Sequence, residues 1–84
     1  SATNDQGKGT IVAVNGMDAT VSVTATDGTN TVDLGQNLGM GAIGIPAIVD
    51  PGDYTVTFND GSSDVASYKL TVDPVSAWSI VSGY

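Results

Sequence analysis

The 84-residue chain contains no cysteine, histidine, arginine or glutamate. Each absence removes a class of chemistry. Without cysteine there is neither a disulfide framework nor a thiolate metal site. Without histidine nothing is present to activate the many serines by the usual base, and a Ser–Lys pair would have to use Lys8 or Lys69, the only cations. Paired aspartates could do acid–base work only in a concave site, for which so short a chain has little volume. The chain is therefore expected not to be an enzyme. All nine acidic residues are aspartate and the formal charge is −7. Such a chain cannot neutralise a row of phosphates, which argues against nucleic acid as a partner, and anionic lipid surfaces are disfavoured for the same reason. Nor does any segment approach the roughly 18 apolar residues of a membrane span.

What is present is a β-type pattern. Hydrophobic residues make up 40% of the chain, and they fall in β-branched runs of period two, which argues for a folded domain over a disordered one. Residues 1–9 are polar and glycine-containing and read as an N-terminal arm, leaving 10–84 as a single domain. The opening Ser1-Ala2-Thr3 is what a processed mature chain or a trimmed one would carry, and the lack of cysteine does not exclude export. Ile11–Val14 forms a short run before Asn15-Gly16, a two-residue turn signal. Ala19–Ala25 alternates, with Ala19, Val21, Val23 and Ala25 assigned inward. Asp27-Gly28 turns into Thr31–Leu34, and a glycine-rich stretch, 35–46, leads to Ala47-Ile48-Val49. After Asp50-Pro51-Gly52-Asp53 comes Tyr54–Phe58, then a turn at 59–63. Ala66–Val72 alternates in its turn, Asp73-Pro74 breaks it, and Ala77–Val81 closes the chain. Seven short strands separated by turn signals, with no room for a crossover helix, predict a largely antiparallel sandwich. Val21, Val23, Val56, Phe58, Leu70, Val72 and Ile80 are its expected core.

The stretch Val49-Asp50-Pro51-Gly52-Asp53-Tyr54-Thr55-Val56-Thr57-Phe58 resembles the corner that opens a strand in fibronectin type III and other immunoglobulin-like sandwiches. There the tyrosine hydroxyl bonds back to upstream backbone. Pro51, Gly52 and Tyr54 would build that corner here. With Asn15, Asp18-Ala19, Leu70-Thr71-Val72 and the closing Ala77-Trp78-Ser79-Ile80-Val81 with Gly83, the chain is similar to small exported bacterial sandwich domains of unknown function. It departs from them in carrying Trp78 where tyrosine is usual and in its glycine-rich middle. The resemblance implies a seven-stranded antiparallel immunoglobulin-like sandwich and an exported location. It implies no activity.

Four candidate sites compete with plainer readings. Gly39-Met40-Gly41-Ala42-Ile43-Gly44 matches the dinucleotide-binding string, but a proline-bounded strand follows where a helix is required, so close packing is the better explanation. Asp60 and Asp64 are the better placed of two aspartate clusters for calcium, against ordinary turn chemistry. Tyr54, Tyr68, Trp78 and Tyr84 would form a glycan platform if exposed, although strand spacing assigns all but Tyr84 mostly to the core. The arm, Ser1, Ala2, Thr3, Asn4 and Asp5 included, would drape on a neighbour.

Two functions survive. The first is a non-catalytic structural or assembly module of an extracellular filament, cell surface or virion surface, a homo-oligomer or larger array joined through strand edges and the arm. Thr/Ser-rich outer faces and the near absence of edge-blocking lysines favour it. The alternative is a binding module that recognises glycan or protein through the loops at one end of the sandwich.

Overall fold

The computed structural model describes residues 7–74 and 78–84. Among them the chain is all-β, without a helix, and its strands form two sheets. In chain order they are β1 (Gly9–Asn15), β2 (Val21–Thr26), β3 (Thr31–Leu38), β4 (Ala47–Val49), β5 (Gly52–Asn59), β6 (Asp64–Val72) and β7 (Trp78–Gly83). The smaller sheet has the order β4-β1-β7 and the larger β3-β2-β5-β6.

This order corrects two expectations. In an immunoglobulin domain the third strand lies beside the sixth, and the fourth beside the fifth. Here β3 pairs with β2 and β4 with β1. Nor is the sandwich wholly antiparallel: β1 and β7 run parallel over Thr10–Asn15 and Trp78–Gly83. Parallel neighbours need a long connection, and the rest of the domain supplies it for the first and last strands.

The Asn15-Gly16 turn is a third correction. A two-residue hairpin of that type needs positive φ at both positions. Among the described non-glycine residues only Asn37 has positive φ, and Gly16 is not among the glycines that do. The chain instead crosses from the smaller sheet to β2 in the larger. Asp27-Gly28 and the 60–63 segment do join antiparallel neighbours, β2 with β3 and β5 with β6. In each turn the aspartate carboxylate accepts backbone N–H groups, Thr29 and Asn30 on Asp27, Ser62 and Ser63 on Asp60.

The core lies between the sheets. Ile11, Ala13, Val21, Val23, Ala25, Leu34, Val49, Tyr54, Val56, Phe58, Val72 and Val81 are buried together. Full burial of side chains the size of Phe58 or Ile11 contributes about 2 kcal/mol each. The Phe58 ring meets Tyr68 edge to face, with centroids 5.8 Å apart. Ala66, Tyr68 and Leu70 are only half-buried, because β6 is the outer strand of the larger sheet and has a neighbour on one side alone. Leu70 thus belongs to the core margin. Ile80 does not belong to the core at all: Val81 and Gly83 are the buried residues of β7. Ala19 is likewise exposed, ahead of β2.

A β-bulge shapes β3. The register slips between Val21↔Leu38 and Val23↔Gly35, and Asn37 takes φ 55° there. A second slip, between Val23↔Gly35 and Thr24↔Asp33, restores the alternation, and Leu34, Gly35 and Leu38 are the buried residues of β3. The domain begins one residue earlier than the sequence reading has it, since Gly9 is already paired with Val49. Ser1, Ala2, Thr3, Asn4 and Asp5 lie outside the described residues.

Candidate interaction surface

The glycine-rich stretch fastens one side of the sandwich. Gly41 N–H donates to Asn15 O at 2.7 Å, Asn15 N–H to Ala42 O at 3.0 Å, and Gly44 N–H to Ala13 O at 2.8 Å. One residue on, Ile45 N–H donates to Leu34 O at 2.9 Å, on β3 of the other sheet. At Gly44 a β-carbon would collide with the Leu34 carbonyl oxygen. The G-x-G-x-x-G string is thus a seam between sheets; the strand β4 follows it, as the dinucleotide fingerprint does not allow.

Asn15 is the only polar residue in the buried interior of the described chain, with none of its surface exposed. Its side-chain Nδ2 donates to Ala19 O at 2.6 Å and to Leu38 O at 2.9 Å, while its Oδ1 accepts from Met17 N–H at 2.9 Å. The sequence reading took Asn15 for a turn residue and missed this role. The available signal was a lone asparagine continuing the period of Ile11 and Ala13.

At the end of the sandwich where β2 meets β3 and β4 leads to β5, the Tyr54 hydroxyl donates to Asp50 O at 2.7 Å. That bond spans Pro51 and Gly52. The Tyr54 ring is buried, and burial is the main cause that pushes its hydroxyl pKa upward, followed by the charges of Asp27 and Asp50. Beside it is an open depression of about 500 Å³ lined by Thr26, Asp27, Asp53, Lys69 and Thr71 among others. Thr71 Oγ1 donates to Asp53 Oδ1 at 2.9 Å. Lys8 Nζ lies 3.4 Å from Asp50 Oδ1 in an exposed ion pair.

Asp60 and Asp64 do not converge on a cation. Asp60 Oδ1 is taken by the amides of Ser62 and Ser63, and Asp64 Oδ1 by Asn59 Nδ2 at 3.0 Å. Among the described residues no three acidic side chains gather at one point.

The aromatic side chains separate. Tyr54 is buried and Tyr68 packs on Phe58, but Trp78 points outward with 63% of its surface exposed. Tyr84 is also exposed. Six residues of extended chain, about 20 Å, part these two, so they cannot flank one sugar ring.

Trp78 opens onto a surface the sequence reading did not anticipate. Cross-strand partners share a face of a sheet. Thr10 pairs with Ile48 on one side and Trp78 on the other, Val12 with Ile80, and Val14 with Ile43 and Ser82. These residues form the outer face of the smaller sheet. Trp78, Ile80, Ile43 and Ile48 stand on it with exposures of 63%, 68%, 68% and 51%. Val12 is buried beneath them yet stands apart from the inter-sheet core. Among the described residues no charged side chain occupies the face, and the Lys8–Asp50 pair closes its margin beyond Thr10 and Ile48. The larger sheet presents the opposite character: Ser22, Thr24, Thr26, Thr55, Thr57, Ser67, Lys69 and Thr71 pair across its outer side. The expectation of Thr/Ser-rich outer faces therefore describes the larger sheet and not the smaller.

Compared with protein-family models and with curated proteins, the chain matches none. Among the described residues no helix is long and apolar enough to cross a membrane.

Proposed function

We propose that the protein is a non-catalytic structural or assembly module of an extracellular filament, a cell surface or a virion surface. The observation that carries this reading is the uncharged apolar outer face of the β4-β1-β7 sheet. Isolated exposed isoleucines need no explanation, but Ile48 on β4, Ile43 in the connection before it, and Trp78 and Ile80 on β7 flank Thr10, Val12 and Val14 of β1 from both sides. A contiguous patch of that kind marks a surface that works while covered. Strand edges add to it: among the described residues β3, β4, β6 and β7 are each paired on one side only. Lys69 is the one lysine on β6, and β7 has none. Edges so lightly guarded favour association. The resemblance to exported sandwich domains agrees with an outside location.

Sedimentation and electron microscopy at rising concentration, alone and with the native surface from which the protein is recovered, test the reading. Particles heavier than one chain are expected. A strictly monomeric protein in every condition removes it. The alternative, a module that binds glycan or protein through the loop end, is favoured by the depression beside Tyr54, where threonine hydroxyls, two aspartates and Lys69 gather.

A further inference from the structure

The assembly reading leaves open what covers the apolar face. We infer that a second copy of this chain covers it, with the two β4-β1-β7 sheets packed face to face about a two-fold axis. The inference rests on the proposed assembly function and adds the contact surface and its occupant.

Charge distribution selects the occupant. At pH 7 the chain carries −7, yet none of that charge stands on Thr10, Val12, Val14, Ile43, Ile48, Trp78, Ile80 or Ser82. Among the described residues, Asp18, Asp27, Asp50, Asp60 and Asp73 occupy connections between strands, and Asp33, Asp53 and Asp64 lie in strands of the larger sheet. A basic partner would find no ionic partner on this face. An anionic membrane would be repelled by the chain as a whole. An identical face matches this one, an uncharged apolar surface of the same outline. Packed this way, the two larger sheets lie on the outside of a four-layer stack. Layers are about 10 Å apart, so most carboxylates of the two copies are separated by more than the ~8 Å screening length of physiological salt.

The area is sufficient. Three strands and six residues give a footprint of about 14 by 20 Å. With Trp78 and three isoleucines standing above the backbone, two copies together bury on the order of 1,000 Å², where specific interfaces begin. Such an interface is weak, and its dissociation midpoint is expected between about 1 µM and 1 mM. In a two-fold arrangement each face is both donor and acceptor of contacts, so closure at two copies follows without further geometry.

The single tryptophan of the chain is its own probe, because Trp78 lies on the face in question. The experiment is sedimentation of the intact 84-residue protein between about 1 µM and 1 mM, a range set by the weak interface expected, with Trp78 emission and acrylamide quenching read in parallel. Wild type is expected to pass from monomer to dimer, with a blue-shifted and less quenchable tryptophan over the same range. Added salt should strengthen the dimer by screening repulsion between two acidic chains. Ile80→Lys and Ile48→Lys, each on an exposed site, should raise the dissociation constant at least tenfold while circular dichroism and melting temperature stay at wild-type values. Val65→Lys, on the β6 edge, should leave the dimer intact.

Four results overturn the inference. If Ile80→Lys and Ile48→Lys assemble as wild type does, the face is not the contact, although the assembly reading stands. If Val65→Lys alone abolishes assembly, the β6 edge is the contact. If Trp78 shifts with phosphatidylcholine vesicles and not with protein concentration, the occupant is a lipid surface. A chain that remains monomeric to about 1 mM, where an interface this small would already have formed, also overturns the second copy as occupant. The assembly reading then survives only if the native surface still recruits the protein.

Discussion

The side-chain amide of Asn15 donates to the backbone carbonyl of Leu38 at 2.9 Å, joining β1 of the smaller sheet to β3 of the larger. A polar atom at that depth is tolerated because every partner is present: Ala19 O and Leu38 O accept, and Met17 N–H donates. Asn15→Leu keeps the branched outline of the side chain and removes all three bonds. Two carbonyls and one N–H are left without partners, at about 1–3 kcal/mol for each group that water cannot reach. The expected loss is about 3 kcal/mol, read as a lower denaturation midpoint in urea at unchanged slope. A midpoint within error of wild type would show that the three bonds add nothing to stability.

Tyr54→Phe isolates one bond. It removes the hydroxyl that reaches Asp50 O at 2.7 Å and leaves the buried ring in place. Because the bond lies near the loop end, water can replace part of it, and the expected loss is about 1 kcal/mol. The pH dependence provides a second readout. Burial first, then the charges of Asp27 and Asp50, raise the Tyr54 pKa above its ordinary 10.0. A raised folded-state pKa gives stability that is complete below the unfolded value and declines as pH rises through the folded one. Wild type should therefore lose stability above about pH 10 more steeply than Tyr54→Phe, as hydrogen-exchange or thermal melts across that window would record.

Strand positions and the buried faces of β2 and β5 were legible because polar residues alternate with apolar ones there. Thr24, Thr55 and Thr57 leave one possible inside for Val23, Val56 and Phe58. β1 and β7 gave no such choice. Val12 and Ile80 are as apolar as Ile11 and Val81, so alternation alone could not tell the inner face from the outer, and strand spacing placed Ile80 in the expected core and Trp78 mostly there. A one-residue error in such an assignment reverses every side chain. Gly83 carried the missing information: an added β-carbon there would lie 2.7 Å from the Phe58 ring, so Gly83, and with it Val81, must face inward. Sheet order was hidden for a different reason. The ladders that set it, β1 with β4 and β1 with β7, join residues far apart in the chain and leave no local pattern.

Asp27 and Asp60 are expected to titrate below the ordinary aspartate value of 3.8. The largest causes are backbone N–H bonds, from Asn30 and then Thr29 at Asp27, and from Ser62 and then Ser63 at Asp60. A depressed folded-state pKa gives stability that is present above the unfolded value and is lost as pH falls through the folded one. Carbon-detected NMR titration of the carboxyl groups checks the order directly. Asp60→Asn retains an oxygen acceptor for the two amides and removes the titration, so its stability should vary less than wild type below about pH 4. Equal acid sensitivity in the two proteins would place the acid-labile contact elsewhere.

Gly39 and Gly44, the first and last glycines of the dinucleotide-like string, should respond oppositely to the same change. A β-carbon at Gly39 meets nothing within 4 Å, and the position has no positive φ. Gly39→Ala is expected to be neutral within about 0.5 kcal/mol, as surface substitutions usually are. At Gly44 the β-carbon would meet the Leu34 carbonyl oxygen, which already accepts Ile45 N–H. Relief requires the seam between β1 and β3 to open, breaking the bonds of Gly44 to Ala13 and of Ile45 to Leu34. Overpacking costs of about 1–3 kcal/mol set the lower bound, and the two lost backbone bonds add to it. Melting temperatures of the two variants against wild type decide the matter. A phosphate-cradling loop would respond otherwise: there Gly39→Ala and Gly44→Ala would both abolish retention of a dinucleotide, with folding left largely intact. A steep fall in melting temperature for Gly44→Ala alone identifies the string as a structural seam, and equal, small effects at both positions would refute it.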